Sequence, residues 1–383
     1  MSFAGLSLLA LSGCGGGGGG DGGGIRLTTP SRYAVQVLGV AGTEGWIFPR
    51  AINERGQVAG YMQLSADELR AFHYDGNQVR NITAPQGMEV SPRAVNESGR
   101  VAGVYWDAGN TPRAFTWQDG VLTRVFTDLT TAESQALAVN VGGTVGGIAL
   151  LPGTGRAGLV ALPNQPTRNL FQEAGILDLN DLNDRNQVVG RTVNGSAIWS
   201  PTEPVVRLEP EGQQLDATSI NERGEIAGVR RNASGGVTPF FRSASGTIED
   251  LTTASFPGWS LVEINEEGQI AGYAIEPAGG GVRDRPFIWG PGGAGFRFIE
   301  VPEGRSARVI ALNDRGQVVG YSSSGAQADR AFTWSAQQGF VDLNRDLIDA
   351  PEGLVVLRAT AIANDGTIAA ISNRGPVLLR PRA

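Results

Sequence analysis

The sequence predicts an all-β protein, a β-propeller of eight four-stranded blades, with seven blades as the alternative. One ten-residue phrase recurs eight times, at intervals of 43, 44, 43, 38, 44, 48 and 50 residues. These intervals match a propeller blade and exceed a solenoid coil. Short alternating strands are separated by Gly-containing turns, and no long segment has the 3.6-residue apolar period of a helix. Four strands per repeat without linkers favour radial closure, because a propeller leaves only short, protected edges.

The first element of each repeat is a strand that ends in an Asn-x-x-Gly turn, as in AINERGQVAG from Ala51. This pattern predicts a type I turn followed by a left-handed glycine. Asn suits the first position because its side chain can bond the turn backbone, and Gly suits the last because it has no Cβ. The eighth copy, AIANDGTIAA from Ala361, has lost the Asn. The turn residues are Asn53 and Gly56, Asn96 and Gly99, Asn140 and Gly143, Asn183, Asn221 and Gly224, Asn265 and Gly268, and Asn313 and Gly316.

A second strand follows the turn and contains a second glycine, Gly60 in the first copy. We expect this glycine to allow close backbone approach where the blades converge. The third strand has an aromatic pattern, as at residues 113–117, and a Gly-containing turn leads to the fourth strand. Tryptophans that recur in the third strand are interpreted as packing residues, and the other three are better candidates for stacking on a ligand. The first group is Trp117, Trp199, Trp289 and Trp334, and the second is Trp46, Trp106 and Trp259.

The two ends of the repeat region look like parts of one blade. Residues 32–38 resemble a fourth strand without its first three, and residues 376–380 resemble a third strand without its fourth. We therefore predict that the N-terminal strand completes the last blade. Residues 342–348 are the only segment in which we expect helical turns.

Domain organisation follows from the N-terminus. The apolar run at residues 3–13 is too short to span a bilayer, and it has the character of a secretory signal. Leu-Ser-Gly-Cys at residues 11–14 resembles the lipobox of bacterial lipoproteins, in which the Cys is lipidated. We expect a signal peptide at residues 1–13, lipidated Cys14 with a Gly-rich tether at residues 14–30, and one propeller domain at residues 31–383. The alternative is a buried Cys in a disordered tail.

Charge and cysteine content narrow the location and the partners. The chain has a net charge of −7, a pI of about 5.0 and one Cys. An acidic chain without a basic block argues against nucleic-acid binding. We expect a monomer that reaches the membrane through a lipid anchor at Cys14, at the bacterial outer membrane or cell surface. We also expect a protein or glycan ligand on one propeller face.

Few side chains offer chemistry. His73 is the only His, and we expect it to be half-exposed on its strand. A lone His cannot build a His-based metal site. We identify no catalytic constellation in the sequence, and we predict no catalytic residues, no metal and no cofactor. An acid recurs at the second turn position, so the propeller symmetry should place these acids in a ring on one face. We favour the interpretation that they are exposed acids that the turn tolerates. The alternative is that they are ligands for a cation or a sugar. The insertion at residues 276–285 is interpreted as a surface loop, or as a loop at the mouth of a binding face. The recurring acids are Glu54, Glu97, Asp184, Glu222, Glu266 and Asp314, with Val141 in the third copy.

The Ala-Ile-Asn-x-x-Gly-Gln-Val-x-Gly phrase and the Arg-Ala-Phe-x-Trp pattern together resemble the HAF-repeat family of probable extracellular bacterial proteins. The resemblance covers about residues 32–382. It implies a propeller-like fold and a secreted or surface location, but no established enzyme activity and no catalytic residues that could be assigned here. The family's His is replaced here by Arg70, Arg113 and Arg330, and by Pro286 in the sixth copy.

Two functions follow as hypotheses. The first is a membrane-anchored extracytoplasmic propeller that binds a partner or acts as a scaffold. The alternative is a polysaccharide hydrolase or lyase that works in the propeller funnel. Two or more buried or paired acids in the funnel with perturbed pKa values would favour the enzyme.

Overall fold

Eight sheets surround one axis in the computed structural model, which confirms the eight-bladed propeller. Their strands pair antiparallel except for one parallel pair in the last blade. The structure describes residues 32–38, 46–65, 68–85, 88–129, 131, 133–208, 213–232, 235–254, 256–278, 281–325 and 328–382. Seven of the sheets contain four strands in sequence order. None of the described helices has the length and hydropathy needed to cross a bilayer.

The strands of the first four blades are β2 (Trp46–Ile52), β3 (Val58–Ser65), β4 (Glu68–Tyr74) and β5 (Val79–Ile82); β6 (Val90–Val95), β7 (Val101–Trp106), β8 (Pro112–Gln118) and β9 (Val121–Arg124); β10 (Glu133–Val139), β11 (Val145–Leu151), β12 (Gly155–Ala161) and β13 (Arg168–Asn169); and β14 (Asp178–Leu182), β15 (Val188–Arg191), β16 (Ser196–Trp199) and β17 (Val206–Leu208). Helix α1 (Leu170–Ala174) connects blades 3 and 4.

Blades 5 to 7 contain β18 (Gln213–Ile220), β19 (Ile226–Asn232), β20 (Val237–Arg242) and β21 (Ile248–Asp250); β22 (Gly258–Ile264), β23 (Ile270–Ala278), β24 (Gly281–Gly290) and β25 (Gly295–Phe298); and β26 (Ser306–Leu312), β27 (Val318–Ser323), β28 (Arg330–Ser335) and β29 (Gly339–Asp342). Blade 8 contains β31 (Val356–Ile362), β32 (Ile368–Ser372) and β33 (Gly375–Arg382), together with β1 (Arg32–Val37) and β30 (Leu347–Ile348).

The N-terminal strand completes the last blade, as the sequence predicted. β1 pairs antiparallel with β33 over its whole length, from Arg32 opposite Arg382 to Val37 opposite Val377. Beyond it, β30 pairs parallel with β1. The expectation of helical turns at residues 342–348 is therefore wrong, because part of this segment adds a fifth strand to the open edge of β1.

The first strands of successive blades contact one another around the whole ring, including β31 with β2, so they form the wall of the central channel. Each first strand has a register shift before its Asn turn, which leaves one residue out of the pairing with the second strand. These eight residues are partly exposed although they lie on the innermost strands, so they line the channel. We call them the bulge residues: Arg50, Arg93, Leu137, Asn180, Thr218, Val262, Ile310 and Thr360.

The hydrophobic core lies between neighbouring blades. One cluster joins Ala51 and Ala59 of blade 1 to Phe115 and Trp117 of blade 2. The four tryptophans that recur in the third strand are all at most 7% exposed, which agrees with their interpretation as packing residues.

The second-strand glycine is needed for a different contact from the one expected. A Cβ on Gly320 would lie 1.9 Å from the carbonyl oxygen of Arg308 and 3.1 Å from Phe332 Cε1. Both residues belong to the same blade as Gly320. The close approach is therefore between strands within a blade, beside the bulge, and not between converging blades.

Candidate functional site

The Asn turns meet on one face of the propeller, where their side chains link each blade to the next. In blade 4, Asn183 Oδ1 accepts hydrogen bonds from the backbone N–H groups of Arg185 and Gln187, at 3.1 and 2.9 Å. Its Nδ2 donates to the carbonyl oxygen of Asn221 in blade 5, at 2.9 Å. Six equivalent bonds of 2.8 to 3.1 Å join the other neighbours from blade 1 to blade 8. Each of these bonds therefore joins two equivalent residues of successive repeats, so their separation in sequence equals the repeat interval.

The recurring turn acids form a second set of links between the same blades, in which the side chain belongs to the accepting blade instead of the donating one. The carboxylate of each acid accepts the backbone N–H of the equivalent turn residue in the preceding blade. Glu97 accepts from Glu54 at 2.9 Å, and Glu54 accepts from Asn364 at 2.8 Å, which closes the ring between blades 8 and 1. The favoured interpretation as exposed, tolerated acids is wrong, because these carboxylates are partly buried and bonded.

The two sets of links compensate for each other's gaps. Ala363 has no amide, so no Asn side chain leads from blade 8 to blade 1, and the bond from Asn364 to Glu54 is the turn link there. Val141 has no carboxylate, so the Asn96 side chain makes the turn link from blade 2 to blade 3.

Burial raises the pKa of several turn acids. The pKa of Glu54 rises to about 7, mainly by desolvation, with further contributions from Glu97, Asp314 and Asp365 and an opposing one from the Asn364 hydrogen bond. The pKa values of Asp184 and Glu266 are also raised by desolvation. Among the described residues, no group of three or more His, Cys, Asp or Glu side chains is arranged to hold a metal ion.

Three polar side chains replace alanine in the channel wall, two positions before the Asn. Asp181 Oδ2 accepts from Ile220 N at 2.9 Å, and Ser219 Oγ accepts from Ile264 N at 3.4 Å. Glu263 Oε2 accepts from Leu312 N at 3.2 Å. Each side chain therefore binds the backbone of the next blade. Burial raises the pKa of Asp181, and it raises the pKa of Glu263 well above its usual range.

A groove of 360 Å³ lies on the turn face among blades 6, 7 and 8. Its floor includes Trp289 and Trp334, which are 3% and 7% exposed, and Arg297 lies over the Trp334 ring at 5.7 Å. Three arginines and one aspartate give the lining a positive balance, although the chain is acidic overall. The charged residues of the lining are Arg297, Arg315, Arg382 and Asp365.

A second cavity, of 260 Å³, lies at the opposite end of the inner strands of blades 7 and 8. Its arginines are already paired with carboxylates. Arg308 contacts Asp284 at 2.5 Å, and Arg358 forms an ion pair with Asp329. The Arg358 guanidinium also lies over the Tyr321 ring at 4.5 Å.

His73 is buried, at 4% exposed, so the expectation of a half-exposed residue is wrong. Its ring packs against Trp117 of the next blade, with ring centroids 5.1 Å apart. Neither ring nitrogen has a hydrogen-bond partner, and desolvation lowers the pKa of His73 to about 4. A general base works best with a pKa near the working pH, which this His lacks.

The environments of Trp259 and of the insertion at residues 276–285 differ from those that the sequence predicted. Trp259 is 9% exposed within an aromatic cluster that includes Phe287 and Phe256. The insertion at residues 276–285 extends β23 and β24 to nine and ten residues, and Arg283 contacts Glu276 at 2.6 Å. It is therefore mainly a longer hairpin, not a surface loop. Cys14, the signal peptide and the tether lie outside the described residues.

Solved propeller structures share this fold at low sequence identity. A prolyl endopeptidase matches with a TM-score of 0.51 and 11% identity, over 86% of this chain and 54% of that chain. This chain therefore spans about half the length of that protein. The β-propeller domain of the Trilobed protease from Pyrococcus furiosus, described as having an open velcro topology, matches with a TM-score of 0.50 and 10% identity, over 80% of this chain and 99% of that chain. YCF48 bound to a D1 peptide matches with a TM-score of 0.46 and 12% identity, over 94% and 97%. At these identities the likeness to the first two structures shows the fold alone. No protein-family model matches the sequence, and no curated protein matches it.

Proposed function

We propose that the protein is a membrane-anchored extracytoplasmic binding propeller, whose ligand occupies the groove on the turn face. The groove carries this proposal. Its volume of 360 Å³ is within the range of small-ligand and peptide-side-chain sites. Its arginines suit a carboxylate-bearing ligand, either an acidic glycan or an acidic peptide, because guanidinium groups bind carboxylates in bidentate geometry.

The linked blades support a binding role. Ligand affinity benefits from a site that is formed before binding, since less ordering then opposes association. Seven Asn links and seven acid or amide links join the turns around the ring. The turn of blade 7, which receives two of these links from blade 6, contributes Gly316 and Gln317 to the groove lining. The groove is thus built on a stiff frame.

A glycan array and a peptide pull-down test this function, with residues 25–383 as the probe. We expect an acidic glycan or peptide to bind, and we expect the Arg297→Gln, Arg315→Gln double variant to weaken binding about tenfold or more. Arg345→Gln is the matched control, because Arg345 is a highly exposed arginine outside the groove. A ligand that binds the double variant as tightly as the wild type would contradict the groove as its site.

The membrane anchor at Cys14 is a separate part of the proposal, supported by the lipobox-like sequence. Metabolic labelling with a palmitate analogue should label the wild type and not Cys14→Ser. Equal labelling of the two proteins would remove the anchor from the proposal. Membership of the HAF-repeat family is likewise proposed from the repeated phrases. A single-repeat profile that scores the eight copies no better than shuffled sequence would contradict it.

A polysaccharide hydrolase or lyase is the second candidate function. It is supported by Asp181 and Glu263, two acids of the channel wall with raised pKa values, since such a reaction needs a protonated carboxyl group. Both carboxylates already accept backbone N–H groups of the next blade, which favours a structural role. Cleavage of a polysaccharide by the wild type, and its loss in Glu263→Gln, would favour the enzyme.

A further inference from the structure

We propose that the central channel contains an oxyanion-binding site between Arg50 of blade 1 and Arg93 of blade 2. Its ligand is a carboxylate or a phosphate group. This inference is independent of the groove on the turn face and of the lipid anchor. It rests on the position of the two guanidinium groups, on their lack of a paired carboxylate among the described residues, and on their surroundings.

Arg50 and Arg93 occupy the same structural position on adjacent blades. Each is the bulge residue of its inner strand, between Pro49 and Ala51 in one case and Pro92 and Ala94 in the other. Both side chains are partly exposed on the channel wall. The other six bulge residues are uncharged, so the two arginines concentrate positive charge on one side of the channel.

Neither arginine is neutralised by a carboxylate among the described residues. Arg50 donates one hydrogen bond, from Nη2 to the hydroxyl of Tyr61 at 3.2 Å. Arg93 has no hydrogen-bond or ion-pair partner in the described part of the chain. The Nε atoms of both side chains are buried and have no partner. Arginines at the channel's opposite end differ, since Arg308 and Arg358 each contact an aspartate.

The energetic cost of this arrangement favours the binding of an anion. Desolvation lowers the pKa of Arg93, and the nearby charge of Arg50 lowers it further. Two like charges that are partly removed from water repel each other and lose hydration. An anion between them would relieve both costs and would accept the buried N–H groups that now lack partners.

The surroundings suit an oxyanion rather than a halide. Planar guanidinium groups present paired donors that match carboxylate and phosphate oxygens. The Arg50 guanidinium lies 5.1 Å from the Tyr61 ring centroid, and Phe48 packs against that ring at 5.0 Å. These aromatic contacts hold Arg50 in place beside the channel. Arg93 lies near enough for both Arg50 and Tyr61 to affect its pKa, so the three groups share one neighbourhood.

Thermal unfolding and isothermal titration of the full chain test the site, with inorganic phosphate and acetate as probes. Sodium chloride balances the ionic strength. The variants are Arg93→Gln and Arg50→Gln, and Arg124→Gln is the matched control because it removes an exposed arginine from the outer strand of blade 2. We expect phosphate, acetate or both to bind the wild type and the control equally. Each channel variant should raise the Kd about tenfold or more.

The probes also identify the ligand class. Binding of acetate alone assigns a carboxylate, and binding of phosphate alone assigns a phosphoryl group. In chloride, Arg93→Gln should melt at or above the wild-type temperature, because the variant removes the repulsion between the arginines. If neither phosphate nor acetate binds the wild type, or if the wild type and both channel variants bind equally, the proposal is overturned.

Discussion

Glu54 closes the turn ring between blades 8 and 1, and replacing it by Gln should make the protein more stable at alkaline pH. Gln keeps an oxygen that can accept the Asn364 N–H, which Glu54 Oε2 accepts at 2.8 Å. It removes the charge that desolvation and the nearby Glu97, Asp314 and Asp365 disfavour. The expected gain is therefore electrostatic and depends on pH.

The magnitude follows from the raised pKa. Glu54 has a pKa of about 7 in the folded protein, against an ordinary value of 4.5. The folded state therefore binds more protons than the unfolded state between these values, and the free energy of unfolding falls as the pH rises through this window. The full shift corresponds to about 3 kcal/mol. Solvent screening of this partly exposed carboxyl reduces the expected loss to about 1–2 kcal/mol.

Thermal unfolding followed by tryptophan fluorescence at pH 4.5 and pH 8 measures this effect. Glu54→Gln should match the wild type at pH 4.5 and should melt about 1–3 °C higher at pH 8, since 1 kcal/mol shifts Tm by about 1–2 °C in a domain of this size. Glu54→Ala is the control, because it loses the acceptor as well as the charge. A Gln variant that is less stable than the wild type at pH 8, or equally displaced at both pH values, would refute the reasoning.

Three further predictions concern single side chains. Gly320→Ala should lower the free energy of unfolding by about 3 kcal/mol or more in denaturant unfolding, because its Cβ would lie 1.9 Å from the Arg308 carbonyl oxygen. Gly109→Ala is the control, because its Cβ would have no contact closer than 3.4 Å. Equal losses in the two variants would contradict the explanation. Asn183→Ala removes two accepted and two donated hydrogen bonds, so it should lower the free energy of unfolding by about 2–4 kcal/mol in the same assay. A loss below about 0.5 kcal/mol would show that the turn link is dispensable. The pKa of His73 is lowered from 6.5 to about 4. Its contribution to the free energy of unfolding is therefore present above pH 6.5, and about 3 kcal/mol is lost as the pH falls toward 4. His73→Phe should lack this part of the acid sensitivity, and a pH profile equal to that of the wild type would contradict the prediction.

The repeated phrase was sufficient to predict the fold, because each copy contains its own turn signal and a fixed period. The same signal could not predict that Asn183 bonds Asn221. Spacing identifies equivalent residues, whereas the direction of their bonds depends on how the blades are placed around the axis. Helix α1 and strand β30 were missed because five and two residues carry too little periodicity.

The candidate sites were harder to predict than the fold. The turn-face groove is assembled from three blades, so no single repeat contains its pattern. The arginine pair does leave a trace, since Arg precedes Ala-Ile-Asn and Ala-Val-Asn in the first two copies. The sequence alone does not predict the register shift at Arg50 and Arg93. This bulge is what places the two residues on the channel wall.

Closure of the ring by the N-terminal strand is the central claim, and deletion of residues 31–39 tests it most directly. All six residues of β1 pair with β33, and Gln36 Nε2 donates to the Tyr74 hydroxyl of blade 1 at 2.9 Å. Melting of the deletion variant should be measured beside a variant that lacks only residues 25–30. We predict that the first variant unfolds or loses its cooperative transition, while the second keeps the wild-type Tm. A deletion of residues 31–39 that leaves the Tm unchanged would contradict the closed eight-bladed ring.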